Sequence, residues 1–375
     1  MKKVYLDNAA TTQILPQVIA EMTKVLAEDY GNASSSHSFG RHSKSILELS
    51  RKTIAKHLNA LSQEIIFTSG GTEGNNIVLR SAVKDLKVER IISSKIEHHA
   101  VLHTVEALQD EFQIAVDFVE VKGDGAIDLT HLADLLSDNR PTLVSLMHVN
   151  NETGTTLDIE RVARICKQHD AYFHSDSVQS VGKVILDLQT LPIDFLVASA
   201  HKFHGPKGTG FIFVRKGIAV QPMFFGGEQE KGLRPGTEPL HNIAGMAKAL
   251  ELSYLDLEVH RKYISGLKDY AIKKLDAHFP GFKINGSSDS FYNILNVQLP
   301  FAEDKTAMIL FNLDMKGIAV SRGSACQSGS VRPSHVLGQM LSPEELKRPS
   351  LRISFSQFNT EDDIDYLIEA LHSIG

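Results

Sequence analysis

The sequence predicts an α/β protein: a large domain with a mostly parallel central sheet, joined to a smaller α/β domain. Short apolar runs of strand length alternate with helical patterns between residues 64 and 214. Repeated strand–helix units of this kind build parallel sheets covered on both faces. Two of the runs, Asp194-Phe195-Leu196-Val197-Ala198 and Gly210-Phe211-Ile212-Phe213-Val214, read as buried strands. The chain has 375 residues, beyond the roughly 250–300 at which single cores stop growing, so two domains are expected.

Composition narrows the function classes. Hydrophobic residues make up 42% and charged residues 22%, with a formal charge of -6, which is ordinary for a soluble globular chain. That balance, with no basic stripe, argues against direct nucleic-acid or membrane binding. No apolar run reaches the ~18 residues of a membrane span, and Met1 to Asn8 has no signal-peptide pattern. A cytoplasmic protein is expected. There are two cysteines. Cys166 lies in a helical pattern and reads as a buried structural thiol. Cys326 lies among small polar residues, Gly323-Ser324-Ala325-Cys326-Gln327-Ser328-Gly329, a mobile and exposed setting. The pair suggests neither a disulfide nor a metal site.

In order, Val4–Thr12 reads as a short strand and turn, and residues 16–26 and 43–58 as helices separated by the polar loop Gly31–His37. A strand over 64–68 runs into Ser69-Gly70-Gly71-Thr72-Glu73 and a helix. A glycine turn at a helix start offers backbone N–H groups and the helix dipole to an anion. Further strands are expected near 90–94, 115–121, 142–147, 171–174, 194–199 and 210–214, and helices near 99–109, 129–136 and 159–169. Residues 221–239 read as loop, followed by a long helix from His241 with a break near Asp256. The last third predicts strands at 293–299, 318–321 and 351–355, and helices at 304–311 and 361–372.

Polar groups gather where the strands end. His98 and His99 follow one strand, Asn150, Asn151 and Glu152 the next, Asp176 and Gln179 a third, and Lys202 a fourth. Strand ends on one edge of an α/β sheet are where such folds place ligands. A lysine there, beside a low-dielectric interior, is suited to a Schiff base. An aspartate opposite a pyridine nitrogen keeps it protonated, which makes the ring an electron sink. His98 is suited to stacking on such a ring, and Gly71, Thr72, Ser199 and His201 to holding a phosphate. Together these parts describe pyridoxal 5'-phosphate.

The sequence resembles the cysteine desulfurases of the NifS/IscS type, class V aminotransferase-like enzymes of pyridoxal-phosphate fold type I. The motifs are Tyr5-Leu6-Asp7-Asn8-Ala9-Ala10-Thr11-Thr12, Thr68-Ser69-Gly70-Gly71-Thr72-Glu73, Glu97-His98-His99-Ala100, Asn150-Asn151-Glu152-Thr153-Gly154, His174-Ser175-Asp176-Ser177-Val178-Gln179, Ser199-Ala200-His201-Lys202, Arg234-Pro235-Gly236-Thr237 and Gly323-Ser324-Ala325-Cys326. They cover nearly the whole chain. The resemblance implies that Lys202 holds the cofactor and shuttles the Cα proton, with His98 stacked on the ring and active in acid–base steps. It implies Asp176 at the pyridine nitrogen and Gln179 at the ring oxygen. Gly71, Thr72, Ser199 and His201 bind the phosphate, joined by Thr237 from the partner of a homodimer. Asn151 and Arg352 grip the substrate carboxylate, with Asn151 also near the cofactor. Cys326 is the nucleophile and persulfide carrier. Asp7 and Asn8 remain structural or site-edge residues.

It further implies a large cofactor-binding domain over 16–255 and a small domain from 1–15 and 256–375, with the cysteine loop at 322–333. The expected reaction converts L-cysteine to L-alanine and passes sulfur to an acceptor such as an Fe–S scaffold or a tRNA-thiolation protein. No metal is expected. A selenocysteine or cysteine lyase of the same superfamily and a non-catalytic sulfur-assembly scaffold are the rival readings. Arg322, Pro235 and Gln357 depart from the usual family residues, and none removes a required group.

Overall fold

A computed structural model describes residues 2–287, 289–323 and 334–375. The large sheet is built from β2 (Ile65–Thr68), β3 (Arg90–Ser93), β4 (Ala115–Phe118), β5 (Thr142–Ser145), β6 (Tyr172–Asp176), β7 (Phe195–Ser199) and β8 (Gly210–Val214), after a first short strand β1 (Val4–Tyr5). Its order is β2-β8-β7-β6-β5-β3-β4. The pairs from β7 through β6, β5 and β3 to β4 are parallel, and β8 runs antiparallel to both β7 and β2. Two antiparallel steps restore direction, so β2 points the same way as the parallel strands. The C-terminal ends of β2, β3, β5, β6 and β7 therefore share one edge.

The solid apolar runs have a simple cause. Successive strand residues point to opposite faces, and both faces are covered. Phe195, Val197 and Ile212 pack with α3 (Gly71–Lys84) and α4 (His99–Phe112) on one side. Leu196, Ala198 and Phe211 pack on the other, in a core shared by α1 (Pro16–Glu28), α2 (Ser38–His57), α5 (Leu129–Leu136), α6 (Ile159–Gln168) and α7 (Leu240–Leu255). Each residue of β7 and β8 thus loses its surface to a core whichever way it points.

A second core lies in the last third of the chain. α8 (Leu257–His278), α9 (Ile309–Asp314) and α11 (Glu361–His372) pack with β10 (Ile294–Gln298) and β12 (Ser350–Ser354). β9 (Lys283–Ile284) completes an antiparallel sheet of order β12-β10-β9, and α10 (Pro343–Leu346) precedes β12. The N-terminus joins this unit: β1 pairs in parallel with β11 (Ile318–Ala319), and bridges link Asp7 to Ser354 and Ser321 to Arg352.

The boundaries differ most from expectation in two places. α2 begins at Ser38 rather than 43, because His37 Nδ1 accepts the Gly40 N–H at 3.2 Å and caps the helix; a histidine cap leaves no strong sequence signal. The helix expected at 304–311 is a 3₁₀ turn at Glu303–Lys305 followed by α9. The break at Asp256 is where the sequence placed it. Among the described residues no helix is long and apolar enough to cross a membrane, and no cluster of His, Cys, Asp or Glu is arranged to hold a metal. Cys166 is buried, and burial pushes its thiol pKa up.

Candidate active site

The shared strand edge opens into a cavity of about 230 Å³. Gly71, Thr72, His98, Asn151, Asp176, Gln179, Ser199, His201, Lys202 and Arg352 all line it. Ala9, Ala10, Asn75, Met147 and Val178 complete the wall. These residues come from strand ends, from the N-terminal turn and from β12, so only the folded chain brings them together.

Lys202 closes the 3₁₀ turn Ala200–Lys202 that follows β7. Its Nζ donates to the carbonyl oxygens of Ala9 at 2.6 Å and Ala10 at 2.9 Å. His98 caps α4: its Nδ1 accepts the Ala100 N–H at 3.1 Å. A backbone N–H only donates, so Nδ1 carries a lone pair and the ring proton of neutral His98 sits on Nε2. Burial lowers the His98 pKa most, against an opposing pull from Asp176, while the Lys202 charge adds to the lowering. The ring is neutral at pH 7.

Asp176 ends β6 with both oxygens engaged. Oδ2 accepts from Asn75 Nδ2 at 2.7 Å and Oδ1 from the Val178 N–H at 3.1 Å. Asn75, on the first turns of α3, is a site residue that the sequence reading did not single out. An asparagine three residues after a helix-opening threonine carries no signal of its own. Its Oδ1 is buried without a partner among the described residues. Glu97, beside His98, is fully buried, and burial raises its pKa well above the usual carboxylate range. It accepts the Met147 N–H at 2.6 Å, which ties the β3 end to the β5 end.

The anion corner sits at the start of α3. Gly70 takes φ 149° and ψ -171°, a region open essentially to glycine, and this bend leads into Gly71 and Thr72, which line the cavity at the start of α3. A Cβ on Gly71 would lie 2.9 Å from Val178 Cγ2. His201 Nδ1 meets Thr11 Oγ1 at 3.1 Å, and burial, with the nearby Lys202, Lys207 and Lys183 charges, pushes its pKa down to about 3. Opposite, Arg352 is buried in β12; Nη1 donates to the Asn151 carbonyl at 2.8 Å and Nη2 to Asp7 Oδ1 at 2.7 Å. Its Nε has no hydrogen-bond partner among the described residues.

One expected residue stands apart. Thr237 is exposed and does not line the cavity of its own chain. The loop that carries it is tethered near the anion corner, because Arg234 Nε donates to Glu73 Oε1 at 2.8 Å. Cys326 lies outside the described residues.

A profile of the class-V aminotransferases matches residues 4–367. The chain belongs to the class-V aminotransferase family. It is 40% identical over 376 aligned positions to "Cysteine desulfurase IscS" of Dictyoglomus turgidum, covering 100% of this chain and 94% of that one. A solved "NifS-like protein" superposes with TM-score 0.91 at 34% identity, covering 100% of this chain and 99% of that one. A structure titled "SspA in complex with cysteine" gives TM-score 0.82 at 30% identity, covering 96% of this chain and 100% of that one. Within the family, this class-V transferase is a cysteine desulfurase of the IscS/NifS kind, an enzyme of sulfur transfer.

Membership implies pyridoxal 5'-phosphate, and the residues present fit it. The glycine cradle at Gly70-Gly71, the helix start and the Ser199 and Thr72 hydroxyls suit a phosphate. The held Asp176 carboxylate suits a protonated ring nitrogen, and the orphaned Asn75 Oδ1 shows a polar wall with unmet bonding capacity. Lys202 Nζ, on the same wall, is an amine of the kind that forms a Schiff base with an aldehyde.

Proposed function

We propose that this desulfurase takes L-cysteine to L-alanine and passes the sulfur to Cys326 as a persulfide, from which an Fe–S scaffold or a tRNA-thiolation protein receives it. The observation that carries the reading is that one cavity unites Lys202, His98, Asp176 and the anion corner with the buried guanidinium of Arg352. The cysteine bound by the solved relative SspA supports the substrate.

When bound, pyridoxal phosphate withdraws electrons from the substrate Cα and makes its proton removable. Gly71, Thr72, Ser199 and His201 would hold the phosphate, joined in a homodimer by Thr237 of the partner subunit. Asp176 would keep the ring nitrogen protonated, and Gln179 would donate to the ring oxygen. Arg352 orients the substrate through its carboxylate, with Asn151 beside it. Lys202 Nζ takes the Cα proton, and His98 supplies acid from Nε2. The Cys326 thiolate then attacks the substrate sulfur. An S–S bond forms as the substrate Cβ–S bond breaks, and the released electron pair stays with the three-carbon unit, which gains a proton at Cβ and leaves as L-alanine. L-Cysteine and the enzyme thiol are thus converted to L-alanine and the enzyme persulfide without an added oxidant.

The same reading divides the chain into a cofactor-binding domain over 16–255 and a small domain over 1–15 and 256–375, working in the cytoplasm. The test compares the parent with Cys326→Ser. The variant keeps the cofactor absorbance and its response to cysteine, but its persulfide yield falls to background. Full sulfur delivery to an acceptor by Cys326→Ser overturns the role of Cys326. A parent that binds cofactor but releases no alanine from cysteine overturns the substrate.

A further inference from the structure

Lys183 is buried one turn beyond Gln179, where none of the steps above uses it. Its Nζ donates to Gln179 Oε1 at 3.2 Å. Gln179 Nε2 donates in turn to the Ala9 carbonyl at 2.8 Å, the same oxygen that accepts from Lys202 Nζ at 2.6 Å. When protonated, Lys183 has donors only, and that form accepts just one orientation of the glutamine amide: oxygen toward Lys183, as the contact shows, and N–H₂ toward the Ala9 carbonyl at the cavity wall. We propose that Lys183 is a positioning residue that fixes the Gln179 amide with its N–H₂ toward the cofactor ring oxygen and, through that amide and its own charge, tunes the proton affinity at Lys202.

The inference rests on the reading of the site as a pyridoxal-phosphate site. Burial, and secondarily the Lys202 charge, lowers the Lys183 pKa to about 7. His201 and His204, both held neutral by burial, are the other titratable groups that feel it. The Tyr292 hydroxyl reaches only its backbone carbonyl, at 3.4 Å. A lysine kept at such a site is a stability liability at pH 7. Its proton affinity is lower folded than unfolded, so stability is lost as the pH falls from 10.5 toward 7. A residue present only for structure has no reason to carry that cost.

The test uses the loaded enzyme and Lys183→Met. The variant melts no lower than the parent at pH 7. It loses cofactor on dialysis at about tenfold higher free concentration, as expected for one lost charge-assisted contact. The pH midpoint of its visible absorbance change rises by about one unit, because a neighbouring cation no longer opposes the protonated form. Lys183→Arg returns both values toward the parent. In a Gln179→Leu background the added effect of Lys183→Met on cofactor retention disappears. A Lys183→Met enzyme with parental midpoint and retention overturns the proposal, as does an equal retention loss without Gln179. If Lys183→Met does not fold, Lys183→Gln carries the same test: a raised midpoint supports the proposal and a parental one overturns it. A parent with no visible band fails the cofactor reading instead.

Discussion

Arg352 Nη2 donates to Asp7 Oδ1 at 2.7 Å, so the guanidinium assigned to an incoming carboxylate already holds one. Asp7 comes from the N-terminal turn and Arg352 from β12, and the bridge between Asp7 and Ser354 sets their approach. Nη1 is taken by the Asn151 carbonyl, which leaves Nε as the donor without a partner among the described residues. Asp7 therefore keeps a buried cation compensated between turnovers.

Two substitutions separate its duties. Arg352→Lys keeps the charge but loses the planar fork that spans Asp7 and Asn151. Its KM for cysteine rises at least tenfold, with a smaller change in kcat, read from alanine formation. Asp7→Asn leaves the buried guanidinium with a neutral partner and lowers unfolding free energy by about 2–3 kcal/mol, near the lower end for a broken buried pair. Denaturant melts check this, and an unchanged midpoint would show that the pair is dispensable.

Gly71 tests the anion corner by packing alone. Its backbone is helical, so alanine is tolerated by the chain, but the new Cβ meets Val178 Cγ2 at 2.9 Å beside the expected phosphate. Gly71→Ala weakens cofactor binding about tenfold or more while the protein stays folded, and adding Val178→Ala recovers part of the loss. Equal affinity in parent and Gly71→Ala, measured by absorbance titration, would place the phosphate elsewhere.

The buried histidines fix the direction of the pH response. Burial pushes His174 down to about 3 and His148 down to about 4, so both stay neutral in the folded chain where the unfolded chain takes up protons. Their folded proton affinity is depressed, so stability is present above pH 6.5 and is lost as the pH falls toward 4. Each contributes up to about 1.4 kcal/mol per pH unit in that window. Denaturation at pH 7, 6 and 5 should show the fall, and a flat profile would contradict the buried neutral assignment.

Much of this was open to reading from the sequence. The solid apolar runs at 195–198 and 210–214 read as strands covered on both sides, and the polar residues just after the first run, with those after the strands near 90–94, 142–147 and 171–174, mark one edge of the sheet. The sequence also named Lys202, Asp176, His98 and the glycine turn, because each type has chemistry of its own at a strand end. It did not reveal Asn75, Ala9, Ala10 or Lys183. An asparagine on a helix, two alanines in a turn and a lysine after a buried glutamine carry no chemistry until something stands opposite them.

The sequence by itself determined the reactive groups and the alternation that carries them, since residue type and local period are one-dimensional properties. Partnership is not. That Asp7 meets Arg352 across 345 residues, and that Gln179, held by Lys183, shares one carbonyl of Ala9 with Lys202, was decided only by the tertiary structure. Hydrogen bonds act within about 3 Å, and only the packed sheets and the folded N-terminal turn bring those atoms within reach.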